Sequence, residues 1–287
     1  MTEFARPFTR PLHPLLVEPL VRAALEEDLG RAGDLTTELL VPVNQNAEAR
    51  ITARTAGTLA GLICAACAFR LTDNSVEITC AALDGETVQA GTSIATLRGP
   101  ARALLTTERV ALNFLGHLSG IATATRALVD SVAGTKTRVV CTRKTTPGLR
   151  TLEKYAVRCG GGFNHRFGLD DAVLIKDNHI AAAGSLGVAV ERVRAGLGHM
   201  TKLEVEVDTL AQLEQALSLG VDAILLDNMT LEHLQRAVML ARGRAILEAS
   251  GGITFETARE VALTGVDYIS SGAITHSAPA LNVALDF

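Results

Sequence analysis

From Thr137 onward the chain alternates short apolar runs with amphipathic ones, and this rhythm limits the possible fold more than any other feature. The runs RVVCT (138–142), AVLI (172–175), KLEVEV (202–207), DAILL (222–226), AILEA (245–249) and DYIS (267–270) have the length and side-chain types of strands. Between them, DTLAQLEQALSLG (208–220), TLEHLQRAVMLA (230–241) and TFETAREVALTG (254–265) carry apolar residues at helical spacing. Each ends at or close to a glycine, as a helix stop should. Strand followed by helix, repeated, predicts a parallel α/β barrel or open sheet, with a six- or seven-stranded barrel preferred.

A different style of sequence precedes residue 115. One helix is expected over 13–30, followed by the short alternating runs ARITARTAGTLAG (49–61), SVEITCAAL (75–83) and TSIATLRG (92–99), which read as antiparallel strands joined by glycine turns. DGETVQAGTSIATLRGPA (84–101) is similar to the hammerhead of biotinyl and lipoyl carriers, but such a carrier needs an acceptor lysine and none occurs before Lys136. The segment is therefore a structural β-module. A long helix is expected over 106–130, on which Arg109, Asn113 and His117 form a polar stripe at i, i+4 and i+8. That stripe is either a solvated face or a surface that meets another subunit's site.

Charge is distributed unevenly. The net formal charge is −4, yet residues 143–179 gather Arg143, Lys144, Arg150, Lys154, Arg158, His165, Arg166 and Lys176. Nucleic-acid binding calls for a broad basic surface, and stacking on single strands calls for aromatics, of which there are only 3% and no Trp. A pocket for a small polyanion fits better, because Arg pairs bidentately with carboxylate and phosphate. Lys154 and Arg158 fit a solvated helix face equally well; Arg143, Lys144 and Lys176 do not, since each directly follows an apolar run.

Other classes are bounded more briefly. No run approaches the ~18 uncharged apolar residues of a membrane span, and the first 14 residues are expected to be a short disordered leader without the apolar stretch of a signal peptide. Five cysteines, an odd number, point to reduced thiols and a cytoplasmic location. Cys64 and Cys67 form a CxxC with no second pair or nearby His, so they read as small buried residues. Cys159, before Gly160–Gly162, is a nucleophile candidate without a clear base.

In α/β barrels chemistry gathers at the C-terminal ends of the strands. In order, those ends carry Arg143–Lys144, Lys176–Asp177–Asn178, Glu204 and Glu206, Asp227–Asn228, Ser250–Gly251–Gly252 and Ser270–Ser271–Gly272. Cations come first, carboxylates next, and two glycine-serine turns last, where barrels commonly hold a phosphate on backbone N–H groups. Carboxylates in a cationic, phosphate-binding pocket suggest Mg²⁺ held partly by protein and partly by substrate. The alternative for Glu204 is that it simply pairs with a Lys or Arg inside the barrel.

TRKTTPGLR, GGGFNHRFGLDDAVLIKDNH, LEVEVDTL, ILLDNM, EASGGI and SSGAITHS, with TERVALNFLGHLSGIAT before them, together resemble the quinolinate phosphoribosyltransferase family over roughly residues 15–287. The resemblance implies an open-faced α/β sandwich over 15–115, to which the tail 276–287 returns, and a seven-stranded α/β (TIM-like) barrel over 116–275. It also implies transfer of phosphoribosyl from phosphoribosyl pyrophosphate to quinolinate with decarboxylation and Mg²⁺, in a homodimer with shared sites or a hexamer of such dimers. By the same resemblance, Arg109 would reach a neighbour's pocket to meet quinolinate, and Arg143, His165, Arg166 and Lys176 would bind its two carboxylates. Lys144 would sit at the reacting centre, with Glu206 and Asp227 around ribose and metal. Ser250, Gly251, Gly252, Ser271 and Gly272 would cradle the 5-phosphate.

Overall fold

The structure, a computed structural model, describes residues 10–287; the first nine positions of the expected leader lie outside the described residues. The chain begins with α1 (Pro14–Leu29), α2 (Leu35–Leu40), β1 (Asn46–Ala53), β2 (Gly57–Thr58), α3 (Leu62–Thr72), β3 (Glu77–Cys80), β4 (Thr87–Val88), β5 (Ser93–Pro100) and the long α4 (Ala101–Ser131). Next come β6 (Arg138–Val140), α5 (Arg150–Cys159), β7 (Val173–Ile175), α6 (Asp177–Ala183), α7 (Leu186–Gly196), β8 (Leu203–Val207) and α8 (Leu210–Leu219). The last elements are β9 (Ala223–Asp227), α9 (Leu231–Ala241), β10 (Ile246–Ser250), α10 (Ala258–Leu263), β11 (Tyr268–Ser270), α11 (Ala273–His276) and β12 (Val283–Asp286). Among the described residues, no helix is long and apolar enough to cross a membrane.

Packing divides the chain into two compact units. One comprises the chain up to Arg126 with Thr145–Gly161 and Ile274–Phe287; the other comprises Ala127–Lys144 and Gly162–Ala273. The change of sequence style near residue 115 thus falls inside α4, and α5 belongs to the first unit.

The first unit is built on an antiparallel sheet in the order β12-β1-β5-β3. Along β1, Ala49, Ile51 and Ala53 are buried while the alternate residues face outward. On that outer face Glu48 accepts from Arg98 (2.9 Å) and Arg50 (3.2 Å). One apolar and one charged face is what an open-faced sheet requires. Helix α1 starts at Pro14, favoured at a first turn, and buries Val17, Val21 and Leu25 from one face. The tail closes against α4 at Gly120, where a Cβ would stand 2.1 Å from the Pro279 carbonyl oxygen.

The start of α3 depends on a carboxylate distant in sequence. Asp84 accepts from the N–H groups of Gly61 and Leu62 (both 3.1 Å) and from the Tyr155 hydroxyl (2.7 Å). Burial raises the Asp84 pKa, and these three hydrogen bonds oppose the rise. One side chain therefore satisfies helix-start donors that would otherwise be orphaned.

The second unit carries six parallel strands in the order β6-β11-β10-β9-β8-β7. The first strand pairs with the last, so the strands are ordered around a ring, as in a barrel and unlike an open doubly-wound sheet. The seventh stave is reduced to a single parallel bridge, Phe163 on Val140. Two aspartates tie the N-terminal strand ends together: Asp222 accepts from the N–H of Leu203, and Asp267 from that of Leu247, each at 2.9 Å. At helix starts Ser185, Thr209 and Thr230 cap α7, α8 and α9.

Candidate active site

The C-terminal strand ends of the second unit enclose a cavity of about 320 Å³. Thr142, Arg143 and Lys144 enter it after β6, His165 and Arg166 after the Phe163 bridge, and Lys176 after β7. Glu206, Asp227, Glu248, Ser250 and Ser270 enter from β8, β9, β10 and β11. Of the eight cationic residues of 143–179, five meet here. Arg150, Lys154 and Arg158 lie on α5 in the first unit, and Lys154 is 1% exposed, so it does not occupy the solvated face open to it on sequence grounds.

Local structure explains how β8 can aim two carboxylates inward. Leu203, Val205 and Val207 are buried on one side of the strand, and Glu204 and Glu206 alternate with them. Each glutamate has a partner: Lys176 Nζ binds Glu206, and His165 Nε2 lies 3.0 Å from Glu204 Oε2. Glu204 thus pairs inside the barrel with an imidazole. Asp227 ends β9 and accepts from the Asn228 side-chain amide at 2.7 Å.

The loop that carries His165 and Arg166 is held by Asp171, whose carboxylate accepts the N–H groups of Phe167 (2.6 Å) and Gly168 (2.9 Å). Arg166 donates to the Ala172 carbonyl at 3.1 Å. Its pKa lies below the ordinary guanidinium value because of burial and, after that, the nearby charge of Arg143. Two guanidinium groups held near one another and partly out of water favour an anion with more than one negative charge.

His165 has both ring nitrogens engaged. Nδ1 accepts the Arg166 N–H at 2.7 Å, which fixes the proton on Nε2 and directs it to Glu204. The ligand atoms of His165, Glu204 and Glu248 lie within 4.8 Å of one another, close enough for a metal. Coordination by Nε2 would cost the ring its only proton while Nδ1 still accepts, so the cluster suits proton sharing better than metal binding.

The two glycine-serine turns also differ in use. Gly251 has φ +93°, and a Cβ there would lie 2.1 Å from Asn228 Oδ1; the Asn228 N–H in turn donates to the Ser250 carbonyl at 2.9 Å. Glycine is required at that approach. The Ser271 N–H donates to the Val140 carbonyl (3.2 Å) and its hydroxyl to the Ile253 carbonyl (3.4 Å), so this serine fastens neighbouring segments together. Neither turn leads directly into a long helix, since α10 begins only at Ala258 and α11 has four residues. Of these turn residues Ser250 and Ser270 line the cavity, and Gly251, Gly252, Ser271 and Gly272 follow them in the chain without lining it.

Arg109 lies elsewhere. It is exposed on α4 in the first unit and lines a cleft of about 590 Å³ with Asn113, His117 and residues of α1. The polar stripe is only partly solvated, because His117 Nε2 pairs with the fully buried Glu153 Oε1 at 2.9 Å. Burial opposes the Glu153 charge, but hydrogen bonds from His117 and Thr146 outweigh it and keep the carboxyl below its usual range. Cys159 is 3% exposed, and burial pushes its thiol up to about 12, which removes it as a nucleophile; Cys64 is pushed up to about 12 in the same way.

Against known proteins, residues 34–119 match the model for the quinolinate phosphoribosyl transferase N-terminal domain, and residues 121–286 match that for its C-terminal domain. The chain belongs to the quinolinate phosphoribosyltransferase family. It is 44% identical over 275 residues to the probable nicotinate-nucleotide pyrophosphorylase [carboxylating] of Bacillus subtilis, covering 96% of this chain and 94% of that protein. It is 45% identical to the corresponding protein of Mycobacterium leprae, over 93% and 95% of the two chains. The crystal structure of NadC from Streptococcus pyogenes superposes with a TM-score of 0.94 at 43% identity, covering 97% of this chain and 98% of that one.

Glu248 is the ionisable wall residue that the sequence analysis did not single out. It is 5% exposed within the strand AILEAS, and burial, with nearby Glu204, raises its pKa to about 7. The folded state therefore holds this proton more tightly than the unfolded chain. The stability it contributes is full below the ordinary value of 4.5 and is lost as pH rises through about 7. Between about pH 4.5 and about pH 8, Glu248→Gln should gain ~3 kcal/mol on the wild type. Denaturant midpoints measure this, and parallel pH curves for the two proteins would contradict it.

Proposed function

We propose that this chain transfers the phosphoribosyl group of phosphoribosyl pyrophosphate to the ring nitrogen of quinolinate, releasing pyrophosphate and CO₂ and forming nicotinate mononucleotide for NAD biosynthesis. The observation that carries this reading is the convergence of Arg143, Arg166 and Lys176 on one small cavity, with Arg143 close enough to depress the charge preference of Arg166. Adjacent carboxylates on a pyridine ring repel each other and are costly to desolvate unless cations meet them. A monocarboxylate would leave part of that positive charge unneutralised.

In this reading Arg143 and Arg166 bind the carboxylates and set the plane of the ring. Lys176 contributes a further positive charge while holding Glu206. The His165 ring orients this wall through Glu204 and the Arg166 N–H, and its own nitrogens face protein partners. Attack at the anomeric carbon develops positive charge on the ribose, which Glu206 and Asp227 are placed to stabilise electrostatically. Once the C–CO₂ bond breaks, the electron pair left at C2 adjoins the positively charged ring nitrogen, and Lys144 or a water supplies the proton. The turn at Ser250, Gly251 and Gly252 would receive the 5-phosphate, with Ser271 and Gly272 at the end of the neighbouring strand as the other part of the cradle.

The donor set also fits Mg²⁺ at Asp227, a half-exposed carboxylate on the cavity wall; Glu206 could join only by releasing Lys176. When bound, the ion would neutralise charge on the diphosphate. Arg109, exposed on α4, is read as reaching the cavity of a second copy in a homodimer, with a hexamer of dimers as the larger form.

Purified protein given phosphoribosyl pyrophosphate and Mg²⁺ should convert quinolinate to nicotinate mononucleotide with equimolar CO₂ and leave nicotinate untouched. Product from nicotinate alone would overturn the reading. For the shared site, Arg109→Ala and Lys144→Ala should each be inactive alone. Mixed after subunit exchange, they should recover up to about one quarter of wild-type activity, because half the dimers are hybrids with one intact site. No recovery would place Arg109 outside the neighbour's site.

A further inference from the structure

One acidic residue of the cavity wall has no part in the chemistry above. Glu248 faces the cavity from β10 and is 5% exposed, and its Oε1 is buried without a hydrogen-bond partner among the described residues. The groups that face it are His165 from the loop after Phe163, Glu204 from β8 and Ser270 from β11, with apolar Leu225 beside it on β9. Ser270 is near enough to favour the charged form of Glu248 weakly, as the last and smallest influence on its pKa, but its hydroxyl makes no hydrogen bond of normal geometry. His165 Nε2 is 3.8 Å from Glu248 but 3.0 Å from Glu204. With Nδ1 accepting from the backbone, the ring has one proton to give, and Glu204 is the nearer acceptor.

We propose that Glu248 is a further binding residue for the pyridine dicarboxylate: it stands in the cavity as a neutral carboxylic acid and donates its O–H to a substrate carboxylate oxygen. The proposal rests on the quinolinate reading of this cavity. Geometry supplies the first argument, since a buried carboxylate with one oxygen lacking any donor, beside a second carboxylate that has one, is more stable protonated. Charge supplies the second. The cavity wall carries Arg143, Lys144, Arg166 and Lys176 against Glu206 and Asp227, with Glu204 next to Glu248, so positive charge is in excess only while Glu248 is neutral. Ionised, Glu248 would cancel that excess and set a carboxylate against the substrate's own. Its pKa, raised to about 7 by burial, agrees with both arguments.

The test is calorimetric titration of the intact protein with quinolinate from about pH 6 to about pH 8.5, using wild type, Glu248→Gln and Glu248→Ala. Wild-type affinity should fall at least about fivefold across this range as the acid ionises. The isosteric amide still donates a hydrogen bond and does not titrate, so Glu248→Gln should bind within about threefold of wild type at the acid end and stay flat. Glu248→Ala should bind about tenfold more weakly at the acid end, because a hydrogen bond to a charged group is lost. Parallel pH curves for wild type and Glu248→Gln, or a Gln variant as weak as the Ala variant, would overturn the proposal while leaving quinolinate as the ligand. If the Ala variant does not fold, the wild-type and Gln curves decide. A wild-type protein that binds no quinolinate would overturn the functional reading and this proposal together.

Discussion

Charge taken out of water is the constraint on which the second unit depends. A barrel interior is most cheaply filled with branched apolar side chains, yet here β8 turns Glu204 and Glu206 inward, β10 adds Glu248, and the strand ends add Arg143, Arg166 and Lys176. Each such group is unfavourable alone. The arrangement holds because most of them meet a partner: Lys176 on Glu206, His165 on Glu204, and Arg166 on the Ala172 carbonyl. Beyond these pairings, Arg143 is held near enough to Arg166 for its charge to lower the Arg166 pKa. A structural ion-pair network has no reason to hold two guanidinium groups close together, whereas a cavity for a dianion does.

The scaffold makes that placement rigid at modest cost. Asp222 and Asp267 bind the N-terminal strand ends across neighbouring strands, away from the site, so the opposite ends are free to carry polar groups. Asp171 folds the loop that presents His165 and Arg166. Gly251 lets the turns after β9 and β10 approach to a distance that any side chain would prevent. The same types of residue therefore serve two purposes, and position decides which: aspartates at strand starts join the sheet, and carboxylates within or after strands face the cavity.

Much of this was legible in the sequence because it is local. Strand and helix periodicity locates β6 to β11 and α8 to α10 to within a few residues, and strand ends identify Arg143, Lys144, Lys176, Glu206 and Asp227 as one group. What escaped is long-range or chemically ambiguous. That α5 packs with the first unit, taking Lys154 into a buried setting, depends on contacts that no pattern within residues 143–179 encodes. The Phe163 stave is a single bridge and has no periodicity to read. Ser271 carries the right residue type for phosphate, but its N–H and hydroxyl are engaged by Val140 and Ile253. Glu248 did leave a signal, a lone acid in an otherwise apolar strand, and a carboxylate at such a position merits the same weight as one at a strand end.

The most direct test of the central claim is a crystal structure of the protein grown with quinolinate. The ring should lie in the cavity of the second unit with its two carboxylates on Arg143 and Arg166 and Lys176 at its edge. Quinolinate seated elsewhere, with Arg143 and Arg166 bound only to protein groups or turned to solvent, would contradict the account.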